Sequence, residues 1–341
     1  MKTVFVGLSG GVDSAVSAYL LKKQGYNVVG AFIKGWEPDF LPCTGVRDRL
    51  EAMRVAAHLG IPFKTYDLSE EYKREVVDYF VSEYKQGRTP NPDVMCNRVI
   101  KFGAFWKKVK ADGADFIATG HYAQNKQTDD SFQMTVSKDK EKDQTYFLWT
   151  LTQNDLSHTL FPVGGLEKSE VRDLAIEANL PNASRPDSQG LCFLGHVDMP
   201  SFLKRYLPTK LGVVKDESGK EIGTHEGVWF YTIGQRHGFT ASSAERLYVV
   251  HKDVKNNELI VSPKPLGEEA KSAFALSNLN WITAPQGEKI LARYRYRQQL
   301  LPVTIEESKV SFESPQMIAQ GQSVVMYDQA GAVCLGGGVV E

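Results

Sequence analysis

Thr3-Val4-Phe5-Val6-Gly7-Leu8 followed by Ser9-Gly10-Gly11-Val12-Asp13-Ser14 and then Ala15-Val16-Ser17-Ala18-Tyr19-Leu20-Leu21 decides the fold. An apolar run of strand length meets a helical pattern across two glycines. Without Cβ atoms, Gly10 and Gly11 let the backbone turn tightly and aim successive N–H groups at an anion, at the positive end of the next helix. Ser9 and Ser14 add hydroxyl donors. The spacing fits neither the Walker loop, with four residues between its glycines and then Lys-Ser/Thr, nor the three-glycine dinucleotide fingerprint. A plain Gly-Gly turn capped by Asp or Ser is the bland alternative. The preceding strand, both serines and the immediate helix favour a phosphate loop.

Outward from this loop, residues 26–33, 63–68 and 116–119 read as further strands, and about 45–59, 69–86 and 97–111 as helices with apolar residues at three- and four-residue spacing. Alternating strands and helices imply an α/β, doubly wound parallel sheet, with ligands beyond the carboxyl ends of the strands. The loops after Leu8, Ile33 and Thr119 emerge there. SGGVDS in this setting resembles the PP-loop of the ATP pyrophosphatases, the adenine nucleotide alpha hydrolase-like fold. The resemblance implies ATP, cleaved between its α and β phosphates, with Asp13 near a phosphate-bound Mg²⁺.

At 341 residues and 42% hydrophobic content the chain exceeds one core, so two or three domains are expected. Beyond about residue 205 the pattern turns to short alternating strands. Hairpins are read at 213–223 and 247–261, and strands at 288–297, 301–307, 322–328 and 332–340. The expected units are 1–204, the PP-loop catalytic domain; 205–270, a small β-rich domain; and 271–341, a C-terminal antiparallel β-barrel. Net charge is −1, which excludes whole-surface nucleic-acid binding and leaves local patches. No apolar run suits a membrane span and no leader is read before the first strand, so a cytoplasmic protein is expected, without membrane contact. Cys43, Cys96, Cys192 and Cys334 form no Cys-x-x-Cys pair, which argues against zinc or a disulfide framework and for catalytic thiol chemistry.

Gly87-Arg88-Thr89-Pro90-Asn91-Pro92-Asp93-Val94-Met95-Cys96-Asn97-Arg98 reads as a proline-stiffened loop whose Asp93 or Asn97 caps the next helix, leaving Cys96 beside the helix N-terminus. The dipole, with Arg98 and Lys101, would favour a thiolate there. Lys85, Arg88, Arg98, Lys101, Lys107, Lys108 and Lys110 face one acid, Asp93, over 85–110: either a local basic patch or a solvated helix face. Cys192 lies in the Gly-flanked loop Arg185–Gly195. Arg293, Arg295 and Arg297 would share one face of a strand at roughly 7 Å steps, suiting successive phosphates, or form a charged edge that discourages aggregation.

SGGVDS, NPDVMCNRVIKF, ATGHYA, KDQTYFLW, SQGLCFLG, YTIGQRHG and RYRYRQ together, in this order and spacing over nearly the whole chain, resemble the tRNA-specific 2-thiouridylases (the MnmA family). The resemblance implies ATP- and Mg²⁺-dependent adenylation of O2 of the wobble uridine, position 34 in the anticodon stem-loop of tRNA, followed by sulfur transfer. Cys192 would carry the persulfide, Cys96 would release the sulfur and close a Cys96–Cys192 disulfide, and Asp93 would be the acid/base. ATP would be held by Gly7, Leu8, Ser9, Gly10, Gly11, Val12, Asp13 and Ser14, by the backbone around Ile33, where the family often has Met, and by Gly120. Asn91, Pro92, Asp93, His121, Lys142, Asp143, Gln144, Arg295, Tyr296 and Gln322 would meet tRNA. A cysteine desulfurase or sulfur-relay protein would supply the persulfide to a monomeric enzyme. Cys43 and Cys334 fall in no matching motif. The rival readings are another PP-loop enzyme, such as a 4-thiouridine, 2-thiocytidine or amide-forming synthetase, a noncatalytic RNA-binding scaffold, and a thiol redox protein.

Overall fold

The computed structural model describes residues 1–40, 45–187, 198–267 and 270–341. Strands β1 (Thr3–Gly7), β2 (Asn27–Lys34), β3 (Phe63–Asp67), β4 (Phe116–Ala118) and β7 (Thr159–Leu160) form a parallel sheet in the order β3-β2-β1-β4-β7. Helices α1 (Val12–Lys23) and α2 (Gly45–Leu59) cover one face, where Val4, Val6, Leu8, Val28 and Phe32 are buried. The helical runs 69–85 and 92–111 cover the other, over Phe5, Val29, Ala31 and Ile33. Apolar residues on both faces explain why β1, β2 and β4 read as continuous runs; the edge strand β3 is largely exposed, and the two-residue β7 is not among the expected strands. The strand order reverses between β1 and β4, so the crevice at their carboxyl ends lies beside Ser9–Ser14.

Two differences concern the cysteine-bearing helix. It starts at Pro92, five residues before the expected position, because proline at the first helical position lacks only an N–H that would be unpaired anyway. Its cap is Asn91, which accepts from Asp93 N at 3.1 Å and Val94 N at 3.3 Å, and not Asp93 or Asn97. Cys96 opens a π-type stretch, Cys96–Ala104, within that helix.

The middle unit is a five-stranded sheet of β8 (Gly212–Asp216), β9 (Glu221–His225), β10 (Thr240–Ala241), β11 (Tyr248–Asp253) and β12 (Glu258–Ser262), in the order β10-β9-β8-β12-β11. Both expected hairpins are present as β8–β9 and β11–β12. The last unit is a closed six-stranded antiparallel barrel. Its strands are β13 (Lys271–Trp281), β14 (Lys289–Arg293), β15 (Leu301–Glu306), β16 (Lys309–Gln316), β17 (Ser323–Tyr327) and β18 (Val333–Val340), with β13 paired to both β16 and β18.

The sequence reading lacked β13 and β16 and extended β14 too far. The strand stops at Arg293. Gln298 Oε1 then accepts from Tyr294 N at 3.0 Å and Arg295 N at 3.1 Å, and Arg297 has φ +61°. The expected ladder of three arginines on one face is therefore absent. Hairpin β5 (Ala123–Gln127) and β6 (Phe132–Val136), inserted after β4, joins this barrel sheet through β6 and β18, in register Val333 with Thr135 and Cys334 with Met134.

Candidate active site

The phosphate loop is shaped by its own side chains. Gly10 takes φ +79°, a conformation that glycine reaches without a Cβ penalty. Ser9 N donates to Ser14 Oγ at 3.3 Å, Gly11 N to Ser9 Oγ at 3.3 Å, and Ser14 Oγ to Gly11 O at 3.0 Å. From outside, Asn182 Nδ2 donates to Gly10 O at 2.8 Å and Arg185 to the same carbonyl at 3.2 Å, while Arg185 also pairs with Asp48. Carbonyls are thereby occupied from behind, at the start of α1.

Gly120, just past β4, presses on this loop: a Cβ there would stand 2.7 Å from Ser14 N and 2.9 Å from the carbonyl carbon of Asp13. Gln144 ties in the next stretch, accepting from Tyr122 N at 2.9 Å on its side chain and donating its N to Tyr122 O at 2.8 Å. Leu8 N donates to Ala31 O at 2.8 Å, and Ile33 is buried in the sheet near the end of β2.

Asp13 Oδ1 accepts from the Tyr122 hydroxyl at 2.9 Å and from Lys168 Nζ at 2.6 Å. Burial first, and Asp13 second, hold the Tyr122 phenol above its ordinary range. Lys168 also lies 2.8 Å from Asp187 Oδ1, which pairs with Arg172 at 2.6 Å, while Asp187 Oδ2 pairs with Lys142 at 2.9 Å. Burial works to raise the Asp187 carboxyl, but Lys168 and Lys142 outweigh it and keep it well below the usual carboxylate range. Among the described residues no cluster of three or more His, Cys, Asp or Glu side chains is placed to hold a metal. One carboxylate, Asp13, beside a phosphate loop fits a hard ion such as Mg²⁺, which is held by one or two carboxylates together with substrate phosphates.

Asp93 and Cys96 lie three apart on the helix that starts at Pro92, so they share a face. Cys96 is 0% exposed and sits in the second turn, where the dipole contributes little. The preceding loop is pinned to both other units. Thr89 N donates to Gln320 O of the barrel at 2.7 Å, and the Thr89 hydroxyl lies 3.4 Å from that of Thr232 in the middle unit. Cys192 and Cys43 lie outside the described residues, as does the SQGLCFLG motif; Cys334 is buried in β18.

Several residues expected at an RNA surface are placed inside. Asp143 is 3% exposed, paired with Arg293 at 2.5 Å and accepting from Ser137 N and the Thr145 hydroxyl. Arg293 also donates to the Tyr327 hydroxyl at 2.6 Å. This pair joins the Lys142–Gln144 stretch to the barrel. His121 is 8% exposed, with Nδ1 2.8 Å from the Thr119 hydroxyl and Nε2 3.4 Å from Lys101 Nζ. In the 85–110 patch, Arg88 pairs with Glu83 and Lys108 with Glu71, so its charge is partly neutralised. Arg295 and Arg297 remain exposed, over the rings of Tyr294 and Tyr296, while Tyr296 also packs on Phe147 at 4.7 Å. Gln322 Oε1 accepts from Ala319 N at 3.1 Å.

The sequence reading gave no role to Lys168, Asp187, Asn182 or Tyr122. Lys168 was findable: Glu167 and Glu170 form a capping box that sets Lys168 at the first position of a helix following a parallel strand.

Family models described as the tRNA methyl transferase HUP domain, the tRNA methyl transferase PRC-barrel domain and the aminomethyltransferase beta-barrel domain match residues 2–196, 200–263 and 271–340. The tRNA-specific 2-thiouridylase MnmA of Listeria innocua is 43% identical, the match covering 99% of this chain and 94% of the relative. That of Staphylococcus carnosus is 44% identical over 99% and 95%. The tRNA-specific 2-thiouridylase MnmA 2 of Geobacillus kaustophilus is 44% identical over 99% and 94%.

Proposed function

The chain belongs to the tRNA-specific 2-thiouridylase family, and from that premise we propose how its site replaces the O2 oxygen of a tRNA uridine by sulfur. It is a tRNA uridine sulfurtransferase. The family models speak of methyl and aminomethyl transfer, but relatives matched over almost their whole length carry the thiouridylase name, and a cysteine in each of two motifs suits sulfur.

In our reading ATP lies along Gly7–Ser14, the backbone at Ile33, and Gly120. The wobble uridine of an anticodon loop, splayed out of its stack, enters beside Asn91, Pro92 and Asp93. Its O2 attacks the α-phosphate and pyrophosphate leaves. Adenylation turns a poor electrophile into one with a good leaving group. The terminal sulfur of a Cys192 persulfide adds to C2 and AMP departs. Cys96 then attacks the Cys192 sulfur, so the S–S bond to the nucleotide breaks onto the departing thiocarbonyl sulfur and a Cys96–Cys192 disulfide closes. Asp93 exchanges the protons. Mg²⁺ beside Asp13 offsets phosphate charge when bound.

The observation that carries this reading is the path of residues 89–96, from the hydrogen bond between Thr89 and Gln320 of the barrel to the helix face bearing Asp93 and Cys96. An RNA held by the barrel is thereby led toward the nucleotide crevice. Arg295, Tyr296 and Gln322, with His121, Lys142, Asp143 and Gln144 beneath, are the residues proposed to meet or shape the tRNA surface. The units are taken as 1–204, 205–270 and 271–341, in a cytoplasmic monomer charged with sulfur by a desulfurase or relay protein. Among the described residues no helix is long and apolar enough to cross a membrane.

The test is nucleoside mass spectrometry of tRNA incubated with ATP, Mg²⁺ and a persulfide source. Wild type yields 2-thiouridine at the wobble position, and Cys96→Ser and Cys192→Ser yield none. Full product from either variant would remove the cysteine pair from the mechanism. Product without ATP would remove the adenylate.

A further inference from the structure

SGGVDS carries no cation, whereas in Walker-type loops a lysine follows the glycines and meets the β and γ phosphates. A polyphosphate bound here needs a positive charge from elsewhere in the fold. Lys142, Lys168 and Arg172 surround Asp187, and Lys168 also reaches Asp13. The Asp139 carboxylate lies here too, accepting from Lys142 N and Lys168 N at 3.1 Å, so three cations meet three carboxylates, and of the three cations Lys168 is the one that reaches the loop itself, at Asp13. The Lys168 side chain is 15% exposed, so little water answers that charge. The oxygen of Asp13 that Lys168 touches is already served by the Tyr122 hydroxyl at 2.9 Å, so Asp13 keeps a partner when Lys168 turns to another anion.

We propose that Lys168 is the cation that meets the β and γ phosphates of the nucleotide, exchanging Asp187 for the polyphosphate, while Lys142 and Arg172 keep Asp187 in place. This rests on the reading of Ser9–Ser14 as an ATP loop. Arg185 donates to Gly10 O and pairs with Asp48, so moving it would release the loop backbone, whereas Lys168 holds only carboxylates. Because α-phosphate and adenosine contacts lie elsewhere, Lys168 discriminates ATP from AMP rather than adding to both.

Equilibrium binding of ATP and of AMP to the full chain, at fixed Mg²⁺ and without tRNA, reads this directly as the ratio of the two affinities. A general loosening of the fold leaves that ratio unchanged. Lys168→Met lowers ATP affinity by about tenfold or more, the worth of one charge-assisted contact, with AMP affinity held within about twofold. Lys168→Arg keeps most of the preference, since charge and reach are similar. Asp187→Asn raises the preference for ATP, because the competing carboxylate is neutralised. Equal losses for ATP and AMP in Lys168→Met, or no loss of either, would overturn the proposal, as would a fall in the preference in Asp187→Asn. If wild type binds AMP but not ATP, the ATP-loop reading itself fails, an outcome distinct from a wild type that binds ATP and a Lys168→Met that still prefers it.

Discussion

His121, expected at the RNA surface, is held within the scaffold. Between the Thr119 hydroxyl and Lys101 it is buried with both ring nitrogens engaged, and burial first, then the Lys101 charge, push its pKa well below the ordinary 6.5. Above about pH 6.5 the imidazole is neutral folded or unfolded, so it adds no pH dependence. Below that value the unfolded chain takes up a proton that the folded one refuses, and stability falls as pH falls, by at most about 1.4 kcal/mol per pH unit from this group. Thermal melts of wild type against His121→Phe from pH 7.5 to 5 are expected to show the acid loss shrinking in the variant; an unchanged slope would deny His121 this part. The phosphate loop was legible because each of its residues acts within a few positions: Gly10 turns, Ser9 and Ser14 brace, Gly11 precedes the helix. His121 and Asp143 were not, because what decides their place lies far along the chain. Asp143 finds Arg293 150 positions away, and no local pattern reports that a lysine-rich turn hides a buried carboxylate.

The same limit separates strands that were read well from those that were not. Buried parallel strands β1, β2 and β4 carry continuous apolar runs. The barrel strands β13 and β16 show mixed burial patterns and escaped notice. Pro90 and Pro92 suggested a loop where Pro92 in fact starts a helix, so Cys96 moved from the helix entrance into its second turn. Hairpin β5–β6 gave no sign that it would extend a sheet built from residues beyond 270. Its attachment depends on β18 and on the Asp143–Arg293 pair just beyond β6. Removing one partner from such a pair leaves the other charge buried and unmatched, so Asp143→Ala should cost about 3–5 kcal/mol. Asp143→Leu with Arg293→Met should recover part of that loss, since an apolar replacement strands no charge, while Ser137 N, Thr145 and Tyr327 remain short of partners. Urea denaturation measures both. A loss below about 1 kcal/mol in Asp143→Ala would mean that the pair does not fasten the hairpin to the barrel.

The three units meet at a small contact that governs their cooperation. Gly321 is buried, takes φ +87°, and leaves no room for a side chain: a Cβ would lie 3.0 Å from Thr89 N and 3.1 Å from Arg88 Cβ. On one side of this contact lie Arg295, Tyr296 and Gln322 of the barrel, on the other the loop that becomes the Asp93–Cys96 helix. With a net charge of −1 the chain has no general attraction for RNA, so its exposed arginines must be correctly placed relative to the crevice. Gly321→Val forces the barrel loop off Thr89 and misplaces RNA relative to the reacting groups while leaving the nucleotide loop, on a different sheet edge, intact. The expected result is a fall of about tenfold to a hundredfold in thiolation of tRNA, the usual effect of ångström misplacement, with ATP affinity unchanged. Parallel measurement of thionucleoside formation and ATP binding separates the two. If both fell together, the barrel would be supporting the nucleotide crevice itself, and the division of labour argued from the Thr89–Gln320 contact would be wrong. If neither changed, the RNA would be positioned by the catalytic unit alone, and the barrel would serve affinity rather than alignment.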